Sequence, residues 1–92
     1  MRWDEARVKH PNAWLIIEAV RAHSEEDRRV VERLDVVEVP PDGAAAHRRY
    51  RELYRTQPER ELYFAHTKND ELLIEERLWT GWRVRLHEEA SR

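Results

Sequence analysis

The chain has 92 residues, 40% hydrophobic and 39% charged, with 17 basic against 19 acidic side chains and no cysteine. A chain of this length closes one core, so a single domain over 1–92 is expected, with little room for a deep substrate cleft inside one copy. The lack of thiols excludes disulfides, thiolate catalysis and cysteine-type zinc sites, and a formal charge of −2 leaves no global field to draw in nucleic acid or an anionic membrane.

Residues 1–12 are polar except for Met1, Trp3 and Val8 among the larger side chains, and they end on His10-Pro11-Asn12, a turn signal; they read as an N-terminal arm. Trp14 to Ala22 is rich in bulky and β-branched residues and is too short for a persuasive helix, so it reads as a strand. Ser24 to Val39 admits two readings. Ser24 and Asp27 could open a helix as a capping pair, with Val30, Val31, Leu34 and Val37 at helical spacing. Equally, Glu25-Glu26-Asp27-Arg28 serves as a polar hairpin loop, and the β-branched residues from Val30 to Val39 disfavour helix; the hairpin is preferred.

Pro40-Pro41-Asp42-Gly43 stops that strand, because neither proline can donate to a ladder and Asp-Gly suits a turn or cap. The spacing then predicts a helix from Gly43 through Arg55, with Ala46, Tyr50, Leu53 and Tyr54 on its apolar stripe and His47, Arg48, Arg51 and Arg55 on the other side. After Pro58, Leu62 to Thr67 reads as a strand, Lys68 to Glu71 as a tight turn and Leu72 to Trp79 as a fourth strand. If Thr80-Gly81 is a two-residue turn, Trp82, Val84 and Leu86 alternate with Arg83, Arg85 and His87 in a short fifth strand, followed by a frayed tail at 88–92. The expected architecture is therefore α+β: an antiparallel four- to five-stranded sheet in the order β-β-α-β-β(-β), with one helix packed on one face.

The run Trp14-Leu15-Ile16-Ile17-Glu18 behind His10-Pro11-Asn12 resembles a group of small bacterial proteins of unknown function, whose first strand follows a proline turn with a tryptophan, three aliphatic residues and a glutamate. The likeness extends by element order over residues 10–67, and His10 stands where that group has a tyrosine. It implies a hairpin followed by a helix and a further strand, and it brings no activity and no functional residues.

Glu18 is the sharpest chemical candidate. In a strand it shares a face with Trp14, Ile16 and Val20, and an unpaired carboxylate there costs several kcal/mol or takes up a proton, so it requires a partner or an open side of the sheet. His66 and Arg33 are the candidate partners. With His66 the pair becomes a possible general acid and base; the plainer reading is a cross-strand ion pair. No two of the five histidines have the spacing that places two ligands on one element, so a metal would need a set such as His23, His66 and Glu18 gathered across elements. No metal and no cofactor is expected. Ser24, Ser91 and the threonines lack an activating motif, and Gly43 and Gly81 alone make no phosphate loop.

Arg48, Arg51 and Arg55 could meet a nucleic-acid backbone, although Glu52, Glu59 and Glu61 dilute their charge, so nucleic acid is disfavoured as a partner. Trp3, Trp79 and Trp82 lie at terminal or strand-end positions that one helix would leave uncovered, and they are the expected interface residues, the alternative being that they fold back onto the monomer core. Lysine occurs only at 9 and 68, as in a GC-rich or thermophilic genome, and the residues after Met1 lack an apolar leader. The composite expectation is a cytoplasmic bacterial protein without membrane contact, more plausibly not an enzyme. It would act as a non-catalytic protein–protein interaction module that forms a homodimer or engages a partner encoded nearby. Two alternatives stay open, a nucleic-acid-binding, antitoxin-like regulator and a small enzyme with an inter-subunit site at Glu18 and His66.

Overall fold

A computed structural model of the chain describes residues 1–75. In chain order the elements are α1 (Trp3–Lys9), β1 (Trp14–Glu25), β2 (Arg28–Glu38), α2 (Gly43–Thr56) and β3 (Leu62–His66). The strands form one antiparallel sheet in the order β2-β1-β3, so the apolar run at Trp14 is its central strand.

The segment 24–39 resolves as a hairpin. Glu26 and Asp27 form its two-residue connection, both at positive φ (45° and 65°), the hand of turn that matches the twist of the flanking strands. Val31 and Val36 pack on one side of the sheet and Val37 on the other, which is how the β-branched residues of this stretch are used. The helix α2 begins where the proline pair ends. Its N-cap Asp42 accepts a hydrogen bond from the Ala45 N–H at 2.7 Å, and the Gln57 N–H closes the other end on the Leu53 carbonyl at 2.7 Å. Gly43 fits this first turn because the Trp14 ring lies against it: a Cβ there would sit 2.9 Å from Trp14 Cζ2.

Leu15, Ile16 and Ile17 are consecutive and all fully buried, and successive strand residues point to opposite faces. Both faces of β1 therefore need cover, and each has it. On one, α2 brings Tyr50 and Leu53 onto Ile16 and Leu62; on the other, Trp3 and Ala6 of α1 pack with Leu15, Ile17, Leu34, Tyr63 and Ile74. The expected four- to five-stranded sheet with a single helix on one face is thus corrected, among the described residues, to three strands between two helices.

Two local facts account for the difference. The segment expected as an N-terminal arm contains α1, whose Trp3 is 6% exposed with its indole N–H donating to the Asn69 carbonyl at 3.0 Å. Residues 72–74 do not form the expected fourth strand. Ile74 turns into the core while its carbonyl accepts from the Arg29 N–H at 2.9 Å, and Glu75 makes only an isolated bridge to Arg28. The remainder of that strand, the fifth strand and the tail at 88–92 lie outside the described residues.

Among the described residues, the outer edge of β2 is met by chain at two points. Met1 exchanges hydrogen bonds with Leu34 (2.7 and 2.8 Å), and Arg29 meets Ile74 as above. Trp3→Ala is expected to cost about 3–5 kcal/mol in urea unfolding, the range for truncating a buried aromatic, without altering association; a tryptophan serving an interface would do the reverse.

Candidate functional site

Glu18 lies opposite Leu62 on β3 and Asp35 on β2. Its partner is neither His66 nor Arg33 but Arg60, from the loop between α2 and β3. The Arg60 Nη2 and Nε donate to the two carboxylate oxygens at 2.7 and 3.1 Å, and its Nη1 donates to the Gln57 side chain at 3.0 Å. This is a forked guanidinium–carboxylate pair that fastens the C-terminal end of α2 to the middle of the sheet. The bond from Arg60 holds the Glu18 carboxyl below the usual glutamate range, and burial opposes that only in part. Both side chains keep contact with water, at 30% and 27% exposure, so the pair is a surface clasp and the carboxylate is not a buried acid.

His66 is placed elsewhere. It faces Trp14 across the ladder, four register positions from the Glu18–Leu62 pair, or roughly 13 Å at the usual rise of a strand. Its ring meets Trp14 edge-on at 5.2 Å, and its Nδ1 accepts from the Lys68 N–H at 3.0 Å. Within one chain, Glu18 and His66 do not form an acid–base pair. Nor does His23 join them, since it lies opposite Val30 toward the far end of the hairpin. No set of three or more ligating side chains among the described residues is arranged to hold a metal ion.

Of the expected interface residues, Trp3 belongs to the monomer core, while Trp79 and Trp82 lie outside the described residues. Arg48, Arg51 and Arg55 are all exposed on the outer side of α2. Between them Arg49 turns back to Glu38, with Nε 2.8 and 3.0 Å from its two oxygens, and reaches Glu52 at 3.6 Å.

A further concentration of charge lies on the hairpin. Both ring nitrogens of His23 meet carboxylates, Nδ1 with Glu32 at 2.8 Å and Nε2 with Glu25 at 2.5 Å. These two bonds, Glu25 first, hold the His23 pKa above its ordinary value, since only the protonated ring can donate to both carboxylates at once. Arg21 reaches the same Glu32 at 3.5 Å. Nearby, Arg29 forks onto Glu61 at 2.7 and 3.1 Å, and the Tyr63 hydroxyl donates to Glu61 at 2.7 Å.

The ladder is irregular in this region. Register shifts flank Arg21, which lies opposite Arg33, and Val31 and Leu34 both pack toward α1 although three residues apart, so the alternation slips by one between them. Beside this slip an open groove of about 500 Å³ runs between the start of α1 and residues 30–33 of β2. The alternating pattern of Arg21, His23 and Glu25 was visible in the sequence; the slip that aims Arg21 and Arg33 at one groove was not.

No helix among the described residues is long and apolar enough to cross a membrane. In comparisons with known proteins, no family model, no curated protein and no solved structure matches the chain.

Glu18 and His23 give stability opposite pH dependences. The lowered Glu18 pKa contributes above the ordinary carboxylate range and is lost as pH falls through the folded value; the raised His23 pKa contributes below the ordinary histidine value and is lost as pH rises through the folded one. Urea titrations across pH are expected to show both limbs, with Glu18→Gln flattening the acid limb at a cost of about 1 kcal/mol near neutrality and His23→Gln flattening the other.

Proposed function

We propose that the protein is a non-catalytic protein–protein interaction module that forms a homodimer and acts in the cytoplasm. The observation carrying this reading is the mismatch in strand length. β1 and β2 have 12 and 11 residues, whereas β3 has 5 and pairs with β1 only from Trp14 to Glu18. Beyond Ala19, whose N–H donates to the Glu61 carbonyl, residues 20–23 of β1 have no strand neighbour on that side among the described residues. A two-stranded ribbon is marginal alone in water, and an open ladder edge is a template for another strand. Val20, 59% exposed at this edge, adds apolar surface where a second copy can lie. Two identical edges paired antiparallel across a two-fold axis satisfy each other, the usual logic of a closed symmetric dimer. A protein partner encoded nearby would use the same edge.

The exposed Arg48, Arg51 and Arg55 favour a second reading, an antitoxin-like regulator that lays α2 along a nucleic-acid backbone. The third reading, an enzyme using Glu18 and His66, requires a second copy to bring the two groups together and has no such support.

Sedimentation velocity over a concentration series separates these readings. A monomer–dimer equilibrium in the micromolar range is expected, shifted toward monomer in Val20→Lys, which places a charge on the edge without touching the core. A monomer at all concentrations, together with salt-sensitive oligonucleotide binding that an Arg48/Arg51/Arg55 alanine variant abolishes, would replace the first reading with the second.

A further inference from the structure

We propose that the groove between α1 and β2 binds a short acidic segment of a protein partner, with Arg2, Arg21 and Arg33 receiving its carboxylates. The three arginines come from different parts of the chain, the N-cap of α1, the middle of β1 and the middle of β2, and all line one open groove of about 500 Å³. Arg21 and Arg33 are cross-strand neighbours. Like charges placed opposite one another repel, so the arrangement stores a demand for an anion between them. Arg33 has no carboxylate partner among the described residues, and the one acid that Arg21 reaches, Glu32, is shared with His23.

Size and charge decide the class of ligand. Asp4 and Glu32 lie in the same lining, leaving a net excess of one positive charge, which suits a carboxylate-bearing segment better than a long polyanion that would run on past these acids. Trp3, Val30 and Val31 supply an apolar floor for its neighbouring side chains. Length is set by the β2 edge. Met1 meets it at Leu34 and Ile74 meets it at Arg29, so, among the described residues, 30–33 are left open between them, a length of about four extended residues. The arginine fork matches a planar carboxylate in two parallel hydrogen bonds, which lysine would not provide.

The test is fluorescence anisotropy with the full chain and a fluorescein-labelled peptide, Leu-Asp-Leu-Glu-Leu, beside its Leu-Asn-Leu-Gln-Leu analogue. Saturable binding of the acidic peptide is expected, with none of the amide analogue. Arg33→Gln is expected to weaken it roughly tenfold, Arg21→Gln with Arg33→Gln further, and Arg33→Lys to give an intermediate loss. Arg48→Gln with Arg51→Gln, on the outer side of α2, is expected to leave it unchanged. The proposal is overturned by absence of saturable binding, by equal binding of the amide peptide, by equal loss in the α2 variant, or by a single-stranded oligonucleotide that binds the groove more tightly than the peptide. Sedimentation keeps this separate from self-association: a monomer that still binds the peptide contradicts the dimer and sustains the groove.

Discussion

A strand buried on both sides cannot exist alone, and everything described in this protein follows from that constraint at β1. Leu15, Ile16 and Ile17 leave no face of the central strand for water, so each face must be covered by a separate apolar surface. The helix α2 supplies one through Tyr50 and Leu53. The other is assembled from shorter pieces, Trp3 and Ala6 from α1 and Ile74 from the segment after β3, which converge on Leu15, Ile17 and Leu34. None of these pieces is long enough to hold its place by helix propensity alone, so they are held by the core they complete.

Forked ion pairs then fix the periphery to this core. Arg60 joins the end of α2 to the centre of β1, Arg29 joins the hairpin to the start of β3, and Arg49 joins α2 to the end of β2. The first two connect segments distant in sequence and the third joins consecutive elements; each is partly exposed, so its energetic weight is modest and its value is geometric. In a chain with so much charge and so small a core, this is where much of the charge is used. Arg2, Arg21 and Arg33 differ from that pattern in sharing one groove on the α1 side of β2.

The hairpin, α2 and β3 were legible because each rests on a local signal: valine-rich alternation for β2, the Pro-Pro-Asp-Gly stop and the Tyr50/Leu53 stripe for α2, a bulky run after Pro58 for β3. What was missed depends on contacts across the chain. A seven-residue helix with one tryptophan has too little periodicity to announce itself, so the sequence alone does not separate α1 from an arm or a core Trp3 from an interface one. Leu72 and Ile74 carry the same apolar signal whether they join a ladder or drop into a core, and packing of Ile74 decides for the core. The partner of Glu18 was sought by strand parity, which cannot find an arginine in a loop. The register slip at Arg21 is likewise a property of two strands together, and no single run of residues encodes it.

An interaction module fits a domain whose core is spent on holding one strand and whose described surface carries an extended hairpin, an arginine-bearing helix face and a groove lined by three arginines. The arrangement depends on α1 being part of the core, since without Trp3 in place one face of β1 loses its largest covering side chain and the groove beside β2 loses part of its second wall. Hydrogen exchange of the Trp3 indole N–H followed by NMR tests this most directly. Bonded to the Asn69 carbonyl at the margin of the core, that proton is expected to exchange well below the rate of a free indole. Exchange at the rate of a free indole, with the amides of Leu15 to Ile17 still protected, would contradict it.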